Sequence, residues 1–260
     1  LDLRSVFNRL FLLSGLILMA AGCADIARDN PLDPRNKDSR QMQTVLIEAF
    51  VNTANTQNYN EMMLAALDSL QRRHPQKLQM AVYHRNTPDF PDALHINESE
   101  LQYQRYLTAL GATDKGTPDL FINGIHQRVQ GASSVNTALL RLEAALANAL
   151  NADGYYSIET DINRSGNQLD TEVTLARLGS HNGRDLRVKA MLIANLGAPH
   201  SQHTVTAVTR SAAISRLNAG EQITRALNGL VLEHAAPHRL LILVTDENES
   251  TVYQCSMFSL

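Results

Sequence analysis

Thr44-Val45-Leu46-Ile47-Glu48-Ala49-Phe50 is a β-branched, aromatic-ended run that reads as a strand, and the polar stretch after it, residues 51–58 (VNTANTQN), reads as a turn. Residues 59–74 then change period. Met62, Met63, Ala66, Leu67 and Leu70 recur at helical spacing, Arg72 and Arg73 suit the negative end of the helix dipole, and Pro75 stops the helix. Residues 78–84 predict a second strand. Outward from this strand-helix-strand start, residues 85–96 hold Pro88 and Pro91 and read as loop, and residues 98–110 form a helix ended by Gly111. Pro118 introduces a strand over 119–122, Asn123-Gly124 signals a hairpin, 125–129 returns, and the alanine- and leucine-rich residues 135–150 predict a last helix. The order β-α-β-α-β-β-α predicts an α/β unit over residues 44–152.

Asn151-Ala152-Asp153-Gly154 reads as a boundary. Beyond it strands dominate, at 155–162, 169–178, 186–195, 203–209, 239–244 and 251–258, so residues 153–260 are expected to form a mostly β, immunoglobulin-like sandwich. Residues 211–227 alternate poorly and are expected to be a short helix or a long loop.

Near the start, Arg4 and Arg9 precede an uncharged, leucine-rich run of about 13 residues, well short of the roughly 20 a helix needs to cross a bilayer. With small residues just before Cys23, the order is that of a signal peptide over residues 1–22. Ala20-Ala21-Gly22-Cys23 resembles the lipobox of bacterial lipoproteins, with Ala20 where leucine is usual. The resemblance implies acylation of Cys23, which would become the mature N-terminus and provide the membrane-lipid contact. Ala24 stands where an aspartate is similar to an inner-membrane retention signal, so the expected location is the outer membrane, facing the periplasm. Residues 23–43 are rich in charge, asparagine and proline and read as the lipidated cysteine and a flexible tether.

The net charge of -3 excludes the basic face that nucleic-acid binding requires. Of the two cysteines, acylation of Cys23 leaves only Cys255, so an internal disulfide is excluded. Tyr253, Cys255 and Met257 alternate to one strand face and predict a buried, inert thiol. The pairs His200/His203 and His234/His238 have ligand-like spacing but sit by Pro199 and Pro237 without a third ligand, and no metal or cofactor is expected. Asp246, Glu247 and Glu249 lack the ordered loop of a calcium site and predict a solvated acidic hairpin.

Residues 44–50, Thr117-Pro118 and the hairpin Phe121-Ile122-Asn123-Gly124 together resemble a thioredoxin-like domain of the kind joined to a C-terminal β-sandwich in Omp28-related bacterial lipoproteins. Catalytic members of that fold carry two cysteines, separated by two residues, after the first strand. The corresponding positions here are Asn55-Thr56-Gln57-Asn58, which cannot form a thiolate, so no catalytic residue is expected. The resemblance implies that Asn55, Thr56, Gln57 and Asn58, with Thr117 and Pro118 at the position of the family's cis-proline segment, form a surface that binds protein. The expectation is a non-catalytic, membrane-anchored subunit that binds an envelope protein partner or serves as a structural accessory. The alternatives are an envelope enzyme with a non-thiol site and a ligand carrier using a cavity in the β domain.

Overall fold

The computed structural model describes residues 29–36, 38–197, 202–233 and 235–260. Cys23, and with it the signal peptide and lipidation expectations, lies outside them. In chain order the elements are β1 (Gln41–Met42), β2 (Val45–Val51), α1 (Tyr59–Arg73), β3 (Leu78–His84), α2 (Asn97–Leu110), β4 (Asp119–Ile122), β5 (Gln127–Gln130) and α3 (Val135–Leu146). There follow β6 (Asp153–Gly154), β7 (Tyr156–Ser165), β8 (Gln168–Arg177), β9 (Gly183–Ala194), β10 (Thr204–Arg210), β11 (Ile214–Leu217), β12 (Gln222–Val231), β13 (His238–Asp246) and β14 (Val252–Ser259).

A thioredoxin-like α/β unit followed by a separate sandwich is not what forms. The described chain is mostly β, with fourteen strands against three α-helices. Its main sheet runs β14-β13-β9-β10-β3-β2-β4-β5, with β11 added beside β9, and so passes straight through the expected boundary. The link is a short parallel bridge at Thr204 and Val82, where the Val82 amide donates to the His203 carbonyl at 2.8 Å. The sheet also curls until its two ends meet. Ile125 N donates to Ser250 O at 2.9 Å, and Val252 N to Asn123 O at 3.2 Å.

Because alternate residues of a strand point to opposite faces, this curled sheet serves three cores. On one face of β2, Val45, Ile47, Ala49 and Val51 pack with Met63, Leu67 and Leu70 of α1 and with Ala138, Leu142 and Leu146 of α3. On the other, Leu46 and Phe50 meet Tyr103, Tyr106 and Leu107 of α2 together with Met191, Leu241, Leu243 and Cys255 from β9, β13 and β14. Burial on both faces is the reason β2 is almost continuously apolar. The outer faces of β9 and β13 (Val188, Ala190, Leu192, Leu240, Ile242 and Val244) take the third core, covered by the antiparallel sheet β12-β8-β7 through Leu169, Val173 and Leu175. Residues 211–227, expected as helix or loop, instead supply β11 and much of β12.

The hairpin at Asn123-Gly124 forms with both residues at positive φ, 47° and 71°. Gly124 is needed on a second ground, since a Cβ there would lie 2.0 Å from the Ser250 carbonyl oxygen. The stretch read as a tether is docked at its end, where β1 pairs antiparallel with β6. Earlier in it, Ser39 is buried, and its hydroxyl accepts from Gly179 N at 3.2 Å.

Candidate functional site

The loop after β2 is exposed at its tip and tied down at its base. Thr56, Gln57 and Asn58 are exposed and Asn55 is half-buried. Beneath them Asn52 is fully buried, and its side-chain amide donates to Arg85 O at 2.8 Å and Phe90 O at 2.7 Å. Its side-chain oxygen accepts from Asn55 N at 2.9 Å, while Asn60 Nδ2 donates to Asn52 O at 2.9 Å. Asn55 Oδ1 in turn accepts from Gln57 N at 3.0 Å. Asn58 is the N-cap residue of α1 but makes no side-chain cap bond, which leaves its amide free to face outward.

A second anchor is the Asp92 carboxylate, which accepts from Thr53 N at 2.7 Å, from Thr53 Oγ1 at 2.9 Å and from His84 Nδ1 at 3.1 Å. Burial raises the Asp92 pKa, but the hydrogen bonds from His84, Leu94 N and Thr53 outweigh it and hold the carboxyl well below the usual range. The far nitrogen of His84 lies 3.4 Å from Thr204 Oγ1. This hydroxyl, imidazole and carboxylate are in the order of a hydrolase relay, yet Thr204 and His84 are each 1 % exposed, and the group clamps the loop where β10 joins β3.

The Thr117-Pro118 bond is cis. Pairing of Asp119 with Phe50 sets Pro118 beside the end of β2 from which the loop departs. Pro118 is buried and Thr117 only half-buried, so of this pair the threonine is the one a partner could touch. Cys255 is buried, its Sγ 3.5 Å from Thr44 O; burial first, and Glu48 second, push its pKa far up, away from thiolate chemistry.

Of the two histidine pairs, His200 and His234 lie outside the described residues. His203 Nδ1 sits 2.7 Å from an Arg239 guanidinium nitrogen. Burial, then Arg239, lower its pKa to about 4. Among the described residues no group of three or more His, Cys, Asp or Glu is placed to hold a metal, and no helix is long and apolar enough to cross a membrane.

The acidic hairpin departs from its reading as a solvated turn. Asp246 accepts from Ser250 N and Thr251 N, each at 2.7 Å, and so closes the β13–β14 turn. Glu249 turns inward at φ 57° and is 2 % exposed. It belongs to a charge network inside the second core that the sequence reading did not identify. Glu48, fully buried on β2, accepts from Tyr83 OH at 3.2 Å and from Tyr106 OH, and lies 3.8 Å from Lys189 Nζ on β9. Lys189 donates to Gln102 Oε1 at 2.9 Å and reaches within 3.7 Å of Glu249. Arg210 pairs with Glu249 at 2.5 Å and also with Glu98, which Arg105 contacts at 2.8 Å. Burial lowers the Lys189 pKa while Glu48 and Glu249 resist the shift; burial and Glu48 push the Tyr83 and Tyr106 phenols well up.

No known protein family matches the chain, and no curated protein matches its sequence. The whole-chain shape does have counterparts among solved structures. HBP35 of Porphyromonas gingivalis superimposes with a TM-score of 0.62 at 12% identity, over 84% of this chain and 76% of that one. A protein of Agrobacterium tumefaciens superimposes with a TM-score of 0.53 at 16% identity, over 84% of this chain and 96% of that one. At such identities the likeness concerns fold alone. It extends across residues 152 and 153, in keeping with the continuous sheet.

Proposed function

We propose that this chain is a non-catalytic protein of the bacterial cell envelope that binds a protein partner or serves as a structural accessory subunit. In this reading it is held to the outer membrane, facing the periplasm, by lipid on Cys23. The observation that carries the reading is the loop Asn55-Thr56-Gln57-Asn58, exposed at its tip and fixed at its base by Asn52, Asn60 and Asp92. A tip ordered before contact loses little entropy on binding, and its amides both donate and accept. The same residues supply no thiol, and the remaining cysteine, Cys255, is sealed in a core.

Two measurements test the reading. The mass of the protein recovered from membranes should be that of a chain beginning at acylated Cys23, and Cys23→Ser should abolish the modification. Purified protein supplied with a reductant should show negligible dithiol oxidase, reductase or isomerase turnover. Robust turnover lost in Cys255→Ser would overturn the non-catalytic reading.

A further inference from the structure

The sequence holds three Asn-Gly pairs, Asn123-Gly124, Asn182-Gly183 and Asn228-Gly229. Such a pair carries the makings of a reaction with itself. The glycine nitrogen can attack the asparagine side-chain carbonyl carbon, because glycine has no side chain to crowd that nitrogen or restrict the backbone beside it. In a folded chain the ring closes only where neither the side chain nor the glycine is held in place, and the three pairs differ in this respect.

Asn123 is pinned. It is 5 % exposed, its Oδ1 accepts from Leu46 N at 2.8 Å, its backbone N donates to Leu46 O at 2.9 Å and its carbonyl accepts from Val252 N at 3.2 Å. Asn182 is exposed, but its Oδ1 accepts from Ala219 N at 2.9 Å. Its glycine is paired with Leu217 of β11 and so closely enclosed that a Cβ there would lie 2.6 Å from the Tyr156 hydroxyl. Asn228 and Gly229 are both exposed. Leu227 pairs with Thr171 and Leu230 with Leu169, so the two residues stand together opposite Asp170 as a bulge that interrupts the β8–β12 ladder. Gly229 has a φ of 82°, and a Cβ built on it would meet nothing within 4 Å. The Asn228 backbone oxygen accepts from Thr209 Oγ1 at 3.1 Å, whereas its side-chain amide has no partner among the described residues.

We propose that Asn228-Gly229 is a site of spontaneous deamidation in the folded protein, at which the reaction outpaces that of the other two pairs. The Gly229 nitrogen gives up its proton to solvent base and bonds to Asn228 Cγ; the bond from Cγ to the side-chain nitrogen breaks, and that nitrogen leaves as ammonia. Water then opens the succinimide. Opening at Cγ leaves aspartate, and opening at the main-chain carbonyl leaves isoaspartate, in which the chain runs through Cγ. No electrons are transferred, and water is the co-reactant. Either product sets a carboxylate opposite Asp170 in the sheet that covers the third core, and like charges facing across a ladder are unfavourable. Isoaspartate also lengthens β12 by one backbone atom.

The test incubates the whole chain in mildly alkaline buffer, folded and, in parallel, unfolded in guanidinium chloride. Mass spectrometry follows the three Asn-Gly peptides for the shift of an amide becoming an acid, and chromatography separates the aspartate and isoaspartate forms. In the folded chain Asn228 should react at least about tenfold faster than Asn123 or Asn182, a barrier difference of about 1.4 kcal/mol, and yield both products. In denaturant the three rates should converge, since the protection of Asn123 and Asn182 comes from the fold. Asn228→Ser, a change at an exposed side chain, should remove the fast native reaction. A folded-state rate at Asn123 or Asn182 equal to that at Asn228 would overturn the proposal. So would a native Asn228 protected as strongly as the other two, or a rate difference that persists undiminished in denaturant.

Discussion

Replacing Lys189 by methionine keeps an unbranched side chain of similar length but removes the cation from the second core. Lys189 is 1 % exposed and stands 3.8 Å from Glu48, which is 0 % exposed. Glu249 would retain Arg210 at 2.5 Å, whereas Glu48 would keep only the two tyrosine hydroxyls. Removing one partner of a buried pair costs about 3–5 kcal/mol, because the other charge is left uncompensated. For a chain of this size that corresponds to a fall in thermal midpoint of roughly 6–20 °C. Glu48→Gln combined with Lys189→Met removes both charges and leaves a side-chain oxygen to accept from Tyr83 and Tyr106. The double variant should therefore recover at least half of the loss. Urea unfolding of wild type, both single variants and the double variant gives the coupling directly. A Lys189→Met loss below about 1 kcal/mol, or single effects that simply add, would refute a buried ion pair at this place.

Other expectations follow from particular contacts. Gly124→Ala should destabilise by more than about 2 kcal/mol in urea, since it adds positive-φ strain to a clash with the Ser250 backbone. By NMR, His203 should titrate at about 4. A histidine whose folded pKa lies below its unfolded value makes the unfolded state bind more protons in that window, so stability should fall as pH drops from 6.5 toward 4. His203→Asn should flatten that part of the profile, and Arg239→Gln should raise the midpoint measured for His203. Asp92 has the opposite chemistry. Its folded pKa is depressed, so its contribution is complete above the ordinary carboxylate range and is lost in acid, and Asp92→Asn should shallow the acid limb below pH about 4. Cys255 should resist alkylation in the native chain and react fully in denaturant, as mass spectrometry would show.

Much of the element content was legible in the sequence, because periodicity reports which face of each segment is buried. β2, α1, β3, α2 and the later long strands fall where the apolar residues recur, and Asn123-Gly124 makes its turn. What periodicity does not carry is which strand lies beside which. The β3–β10 bridge rests on one parallel pairing between segments more than a hundred residues apart, and nothing local in Val82 or Thr204 announces it. The change of pattern near Gly154 marked a change of element type, while the sheet continued past it. Residues 211–227 did not read as one strand because they hold two, β11 and the first part of β12, separated by residues 218–221.

The site was legible in the same partial way. The Asn55–Asn58 loop could be located from the strand before it and the helix after it, but its anchoring by Asn52 and Asp92 depends on contacts across 33 to 39 residues. The charge network did leave a sign. Glu48 interrupts an otherwise apolar strand, and Lys189 sits between Val188 and Ala190 where the apolar half of β9 begins; a charge in such a place is kept only with a partner. Finding that partner required the topology that brings β2 and β9 to one core.

The most direct test of the proposed role is quantitative co-isolation from membranes with the proposed lipid anchor on Cys23 left in place, comparing wild type with Asn55→Ala, Asn58→Ala and Thr117→Ala. A stoichiometric envelope partner should accompany the wild type, and the loop variants should lose most of it while their thermal midpoints stay within a few degrees of wild type. Partner recovery unchanged across all three variants, each fully folded and membrane-bound, would contradict the account.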